Sequence, residues 1–497
     1  MTQPEPANTA TMPHVRVEEG VLRGSRSGGV DRYLGVPYAA APVGDDRFSL
    51  PQRVAPRNDV RDCSAFGPTS PQLPYSGGME NFLSTVTIPG DEILNLAVWA
   101  PAASSAPSAE RGTGHPVIVW IHGGSLTRGS NAIEAYDGTA FARDGIVFVS
   151  VNYRLGAEGF SVLTGADLNL GLADQVAALR WVRRNASSFG GDPSNVTVMG
   201  ESAGALCIAA LLALPDAASL FDRAIMQSGM PDARPRSQTR RISALMAKRL
   251  GIPDSREAFS SRSGERILAA QQQVTAGTNP ITGGPAFALT VGDEFVPVDP
   301  AGALQSGAGS TIPLLIGTNS EEYRLWFMPT GVIHRIGWLH IAVAMFRFRI
   351  STRTVRLYRR NRPGATVGER FGALATDLLL RVPVNKLADA RFARPGQATT
   401  HVYEFAWRSP VGDLGACHAL EIGFVFDTLD STDGAAMAGP TAPRPLADAM
   451  HAAWVRFART GDPGWPAWNP YRPVKTWDGE TNGVVHSPRE EERSSWD

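Results

Sequence analysis

The chain has 497 residues, is 43% hydrophobic by composition and balances 47 Lys and Arg against 48 Asp and Glu, for a formal net charge of −1. That length supports a large core, and that balance leaves no cationic surplus for a polyanion, which argues against nucleic-acid binding. Three cysteines, Cys63, Cys207 and Cys417, cannot make an all-paired disulfide framework.

Residues 1–14 are polar and Pro-containing, with no apolar stretch behind a positive start, so the reading is a flexible N-terminus without a visible secretory signal. With the cysteine usage this fits a reducing cytoplasm. No charge run or long low-complexity linker divides the rest, which reads as one domain over 15–489 followed by a polar tail, 490–497. VRVEEGVLRG and DRYLGVPYAAAPVGDDRFSLPQ read as short strands and turns leading into a Pro-rich surface segment. A strand over 95–99 is followed by a Pro/Ala/Ser/Gly loop over 101–114, and a strand over 117–121 ends in the turn His122-Gly123-Gly124-Ser125-Leu126. A fully apolar strand over 146–152 and a helix over 172–185, with Val176, Leu179 and Val182 on one face, come next.

The β-branched strand VTV then runs into Gly200-Glu201-Ser202-Ala203-Gly204, and the apolar AGALCIAALLAL opens a helix at once. A G-x-S-x-G turn this tight forces its central residue into a strained conformation and lifts the Ser hydroxyl above the sheet, at a helix N-terminus that favours developing negative charge. Further strands are expected over 223–227, 313–317 and 401–405. ISALMAKRLG reads as a helix ended by Gly251, and Leu446, Met450, Trp454 and Phe457 recur at helical spacing. The Arg-rich stretch 326–383 reads as helices beside the sheet. Its most apolar part, 331–350, is interrupted by His334, Arg335, His340, Arg347 and Arg349, which is costly in a bilayer core; an amphipathic lid or surface helix, without stable membrane insertion, is expected. Strands alternating with helices define an α/β class with a mostly parallel sheet covered on both faces.

A serine becomes a nucleophile when a base takes its proton, an acid orients the base and donors meet the oxyanion. The N–H of Ala203 and one or two N–H groups of the HGGS turn are the candidate donors. His122 belongs to that turn and precedes the serine, so it reads as a turn-stabilising side chain. Of the six histidines after Ser202, His418 lies in the small-residue turn GDLGACHALE between a strand and an apolar segment, where a loop holds an imidazole over the sheet. His334, His340 and His451 fall on expected helices, His401 in a strand and His486 in the polar end. Glu321 and Glu322 both follow an expected strand end, and pattern alone does not choose between them as the acid.

Taken together, YLGVPYAAAPVGDDRF, WIHGGS, VNYRLGAEGF, NLGLADQVAALRWVRRNASSFGGDPSNVTVMGESAGA, FDRAIMQSG, PLLIGTNSEE, GACHALEIGFVF and WVRFARTGDP resemble the type-B carboxylesterase (carboxylesterase/cholinesterase) family, in a bacterial-type member. The resemblance implies an α/β-hydrolase fold with helical insertions near the site. It implies a triad of Ser202, Glu322 and His418, and an oxyanion hole from Gly124, Ser125 and Ala203. Glu201, Ser228 and Gly123 take supporting places, and Leu126 and Trp326 are expected in the substrate pocket. The implied activity is hydrolysis of a small-molecule carboxylic ester through an acyl-enzyme, with no metal or organic cofactor; carbamates, lactones and aryl amides use the same chemistry. A non-catalytic binding homologue is the other class, disfavoured because the whole triad is present. The family's oxyanion turn reads GGG before an aromatic, whereas here Ser125 and Leu126 stand in the last two places, so a positive φ at Ser125 is a source of strain. The positions of a disulfide in secreted members hold Ser70 and Ile93, and 71–92 contains no Trp, so choline esters are not the expected substrates.

Overall fold

Eleven strands form the central sheet in a computed structural model that describes residues 12–102, 114–276, 286–394 and 396–497. In chain order they are β1 (Ser25–Ser27), β2 (Val30–Pro37), β3 (Asn95–Pro101), β4 (His115–Ile121), β5 (Val147–Val151), β6 (Gly191–Glu201), β7 (Arg223–Gln227), β8 (Leu314–Asn319), β9 (Thr400–Phe405), β10 (Pro473–Trp477) and β11 (Val484–His486). Across the sheet the order is β11-β10-β9-β8-β7-β6-β4-β5-β3-β2-β1. Strands β4 to β10 pair in parallel, while β1, β2 and β3 at one edge and β11 at the other run antiparallel to their neighbours.

Strand pleat divides the core. Val117, Val119 and Ile121 point to one apolar cluster, and Ile118 and Trp120 between them point to the other. Helices α1 (Leu170–Asn185) and α2 (Ala203–Leu212) cover the first face, with Leu172, Val176, Leu179, Ile208 and Leu211 fully buried. Helices α3 (Trp338–Phe348) and α4 (Thr352–Asn361) stand on two small apolar clusters of their own. Helix α5 (Arg444–Thr460) covers the second face with the Leu446, Met450, Trp454 and Phe457 stripe that the sequence reading singled out. Every expected strand and helix named above is present, with bounds shifted by a few residues; β6 is the largest change, extending from Gly191 to Glu201.

One assignment of the sequence reading is corrected. His486 is in the edge strand β11, paired with Pro473, because Val484 and Val485 prolong the antiparallel register. The polar end is docked: Glu490–Ser494 forms α6, in which Glu492 is buried and accepts hydrogen bonds from Arg362 at 2.6 Å and Asn361 at 2.9 Å. Residues 1–11, most of the expected flexible N-terminus, and 103–113, most of the expected loop, lie outside the described residues.

Candidate active site

All the chemistry-bearing turns leave the carboxyl ends of neighbouring parallel strands, the edge at which α/β sheets assemble their sites. The turn after β6 holds Ser202 at φ 55°, ψ −119°, a combination rarely tolerated outside glycine. The surroundings over-determine it: the Ser202 N–H donates to the Gln227 carbonyl at 2.9 Å, and α2 begins at the next residue. Close approach makes glycine mandatory at 204, where a Cβ would stand 2.0 Å from the Ile121 carbonyl oxygen of β4. Ser202 itself remains half-buried, the only member of its elbow not fully enclosed.

The facing turn leaves β4. At Gly123 a Cβ would meet the Glu201 carboxylate at 2.8 Å and the Ser202 Cβ at 3.1 Å, so a larger residue would fill the space beside the hydroxyl. Gly124 has φ 109° and its Cβ would be 2.3 Å from the Arg128 carbonyl oxygen. Ser125 and Leu126 follow at φ 57° and 60°, so the strain expected at Ser125 is real and is shared by its neighbour. Among the described residues the N–H groups of Gly124, Ser125 and Ala203 have no hydrogen-bond acceptor. His122 is fully buried, its Nδ1 donates to the Gly123 carbonyl at 2.9 Å and its ring stacks on Tyr153; burial lowers its pKa to about 4, so it is a neutral part of the turn.

His418 is brought over this edge by the loop after β9. Its Nδ1 lies 2.6 Å from the Glu322 carboxylate, in the turn after β8. The other Glu322 oxygen accepts from the Asn319 backbone N–H at 2.7 Å, which fixes the carboxylate plane. His418 Nε2 stands 2.9 Å from Glu201, within ion-pair distance but outside hydrogen-bond alignment. Burial disfavours an imidazolium here, and the charges of Glu201 and Glu322 outweigh it, holding the His418 pKa well above its ordinary value. Burial likewise pushes the Glu201 pKa up, against the opposing pull of His418.

Glu321 has a different environment. Its carboxylate binds Arg324 at 2.9 Å and Arg408 at 2.8 Å and accepts the Ala416 N–H, tying the two loops together away from the imidazole. Ser228, at φ 48°, is buried, its N–H donating to Gly317 and its hydroxyl unpaired. Of the two pocket residues expected from sequence, Trp326 lies with its ring 4.7 Å from that of His418, whereas Leu126 is packed into the main core. Leu126 shares that cluster with Ala203, the residue after Ser202.

One residue of the site escaped the sequence reading. Glu421 is fully buried, accepts from Gln227 at 3.1 Å and from Asn319 at 2.6 Å, and has its pKa raised to about 8 by burial and then by Glu201 and Glu322. Asn319 also donates to the carbonyl of Cys417, next to His418, so Glu421 braces both the Glu322 and His418 loops. Its place three residues after His418 in an apolar segment was the available signal.

Among the described residues no helix is long and apolar enough to cross a membrane. The sequence pattern of the carboxylesterase family matches residues 11–491, and the chain belongs to that family. It is a carboxylic ester hydrolase with the α/β-hydrolase fold. It is similar to the para-nitrobenzyl esterase of Bacillus subtilis (strain 168), 35% identical over 92% of each chain, and to a phenmedipham hydrolase of Pseudarthrobacter oxydans, 34% identical over 93% of each. The crystal structure of the Geobacillus stearothermophilus carboxylesterase at pH 6.2 superposes with a TM-score of 0.85 and 34% identity, over 97% of this chain and 100% of that one.

Proposed function

We propose that the protein hydrolyses carboxylic esters by a Ser202, Glu322, His418 triad. The observation that carries the reading is the 2.6 Å contact between His418 Nδ1 and Glu322, held over the sheet edge at which Ser202 is lifted by its strained turn. His418 Nε2 accepts the Ser202 proton as Oγ bonds to the ester carbonyl carbon, and Glu322 stabilises the resulting imidazolium. The N–H groups of Ala203, Gly124 and Ser125 receive the oxyanion. As the intermediate collapses, the alkoxide leaves with the proton from His418; water, deprotonated by the same nitrogen, then cleaves the acyl-enzyme to the carboxylic acid and Ser202. Each step is acid–base and nucleophilic, and asks for no metal or organic cofactor.

Gly123 leaves room beside the hydroxyl, Glu201 faces His418 Nε2, Ser228 supports the turn from below, and Trp326 borders the ester. A small-molecule ester in the cytoplasm is the substrate class proposed; the three buried, unpaired cysteines support that compartment. Carbamates, lactones and aryl amides are the second reading, favoured by the likeness to a protein named for phenmedipham hydrolysis. Turnover of an aryl acetate, and of phenmedipham, by wild type and Ser202→Ala tests both. Loss of turnover with an unchanged unfolding curve supports the triad, and retained turnover contradicts it. The relative kcat/KM on the two compounds decides the bond preferred.

A further inference from the structure

The stretch 323–368 holds nine arginines and neither Asp nor Glu, in a chain of net charge −1. Three of the nine are paired with carboxylates from elsewhere: Arg324 with Glu321 and Glu369, Arg360 with Glu491, and Arg362 with Glu492. Among the described residues no carboxylate stands within ion-pair distance of Arg335, Arg349, Arg353 or Arg356, all of them exposed. Arg359 lies over the Trp338 ring, 5.9 Å from its centre.

Helix α3 runs through the middle of this cationic stretch and is apolar on both sides. Its inner side, with Ile341 and Met345, packs on Tyr323, Phe327 and Phe371. Its outer side leaves Leu339 74%, Val343 57% and Phe346 91% exposed, one stripe at i, i+4 and i+7, with Trp338 beside it at 49%. Scattered exposed apolar residues need no explanation, but a contiguous stripe, on a helix whose opposite side is already packed and whose exposed polar residues are only His340 and Arg347, marks a face that something covers.

We infer that α3, α4 and their flanking turns adsorb to an anionic lipid bilayer. The apolar stripe enters the headgroup boundary, Trp338 sits at its level, and the unpaired arginines rest on lipid phosphates. Charge selects this occupant. A second copy of the chain, brought up by a two-fold axis, would set the arginines against themselves. A neutral apolar partner would leave them without counter-charge. A helix of this length does not span; it lies in the interface. The inference is independent of how Ser202 reacts.

The test is co-sedimentation of the full-length protein with vesicles of phosphatidylcholine alone and of phosphatidylcholine with phosphatidylglycerol. Binding to the anionic vesicles is expected to be at least about tenfold tighter, and to weaken with added salt. Leu339→Ser/Phe346→Ser and, separately, Arg353→Gln/Arg356→Gln should each weaken it by about tenfold or more, with the far-UV spectrum and aryl acetate hydrolysis unchanged. Equal affinity for the two vesicles, or none for either, overturns the inference. So does a concentration-dependent dimer that Leu339→Ser/Phe346→Ser dissociates, because the stripe would then be a self-association surface.

Discussion

His418 is held between two carboxylates with unequal consequences. Glu322 is fixed by the Asn319 N–H and meets Nδ1, so its charge orients the ring; Glu322→Gln should lower kcat by about three to four orders of magnitude. Glu321 spends its oxygens on Arg324, Arg408 and Ala416, and Glu321→Gln should change kcat by less than about tenfold. The reverse ranking would make Glu321 the acid. Glu201 bears on the pH profile. Its charge favours the imidazolium, so Glu201→Gln lowers the His418 pKa and keeps the neutral base available to lower pH. The rising limb of kcat/KM against pH should move to lower pH by about one unit or more. An unmoved limb contradicts the coupling. The pair Glu321 and Glu322 also marks a limit of sequence reading: two adjacent carboxylates at a strand end look alike until tertiary partners separate them, and the family resemblance, not the pattern, favoured the second.

The elbow between β6 and α2 was legible because its requirements fall on consecutive residues, a β-branched strand, two small residues around the serine and an apolar helix. Its tightness also makes it brittle. A Cβ at Gly204 lies 2.0 Å from the Ile121 carbonyl oxygen and 3.0 Å from that of His122. Gly204→Ala must push α2 off β4, at a cost of about 2–3 kcal/mol in urea unfolding. A stability within about 0.5 kcal/mol of wild type would show that the helix has room to shift. The facing turn was half legible: its glycines announced close backbone approach, but the left-handed backbone at Leu126 has no sequence signature. Glu421 offered only its position three residues after His418. A carboxylate in an apolar run looks like a solvated charge until burial and the amides of Gln227 and Asn319 are seen around it.

At the scale of the molecule, strand alternation and helix stripes sufficed for the layered architecture, since they report which face of each element is buried. They did not report what docks at the end of the chain. Glu492 is held by Arg362, with Arg381 3.7 Å away, and its side chain is 3% exposed, whereas Glu491 pairs with Arg360 where both are largely open to solvent. Glu492→Ala leaves Arg362, which is 28% exposed, without its carboxylate, while Arg381 keeps Asp377; it should cost about 2 kcal/mol, against less than about 1 kcal/mol for Glu491→Ala. Equal thermal midpoints for the two variants would show that the end of the chain contributes no stability through this contact. These distant contacts support the frame, and the proposed function asks that frame to hold one serine, Ser202, reactive at the sheet edge. Intact-mass analysis after exposure to a serine-directed organophosphonate tests that claim most directly. The account predicts a single covalent adduct per chain, mapped to Ser202 by peptide sequencing and absent from Ser202→Ala. An adduct on another residue, or labelling undiminished in Ser202→Ala, would contradict it.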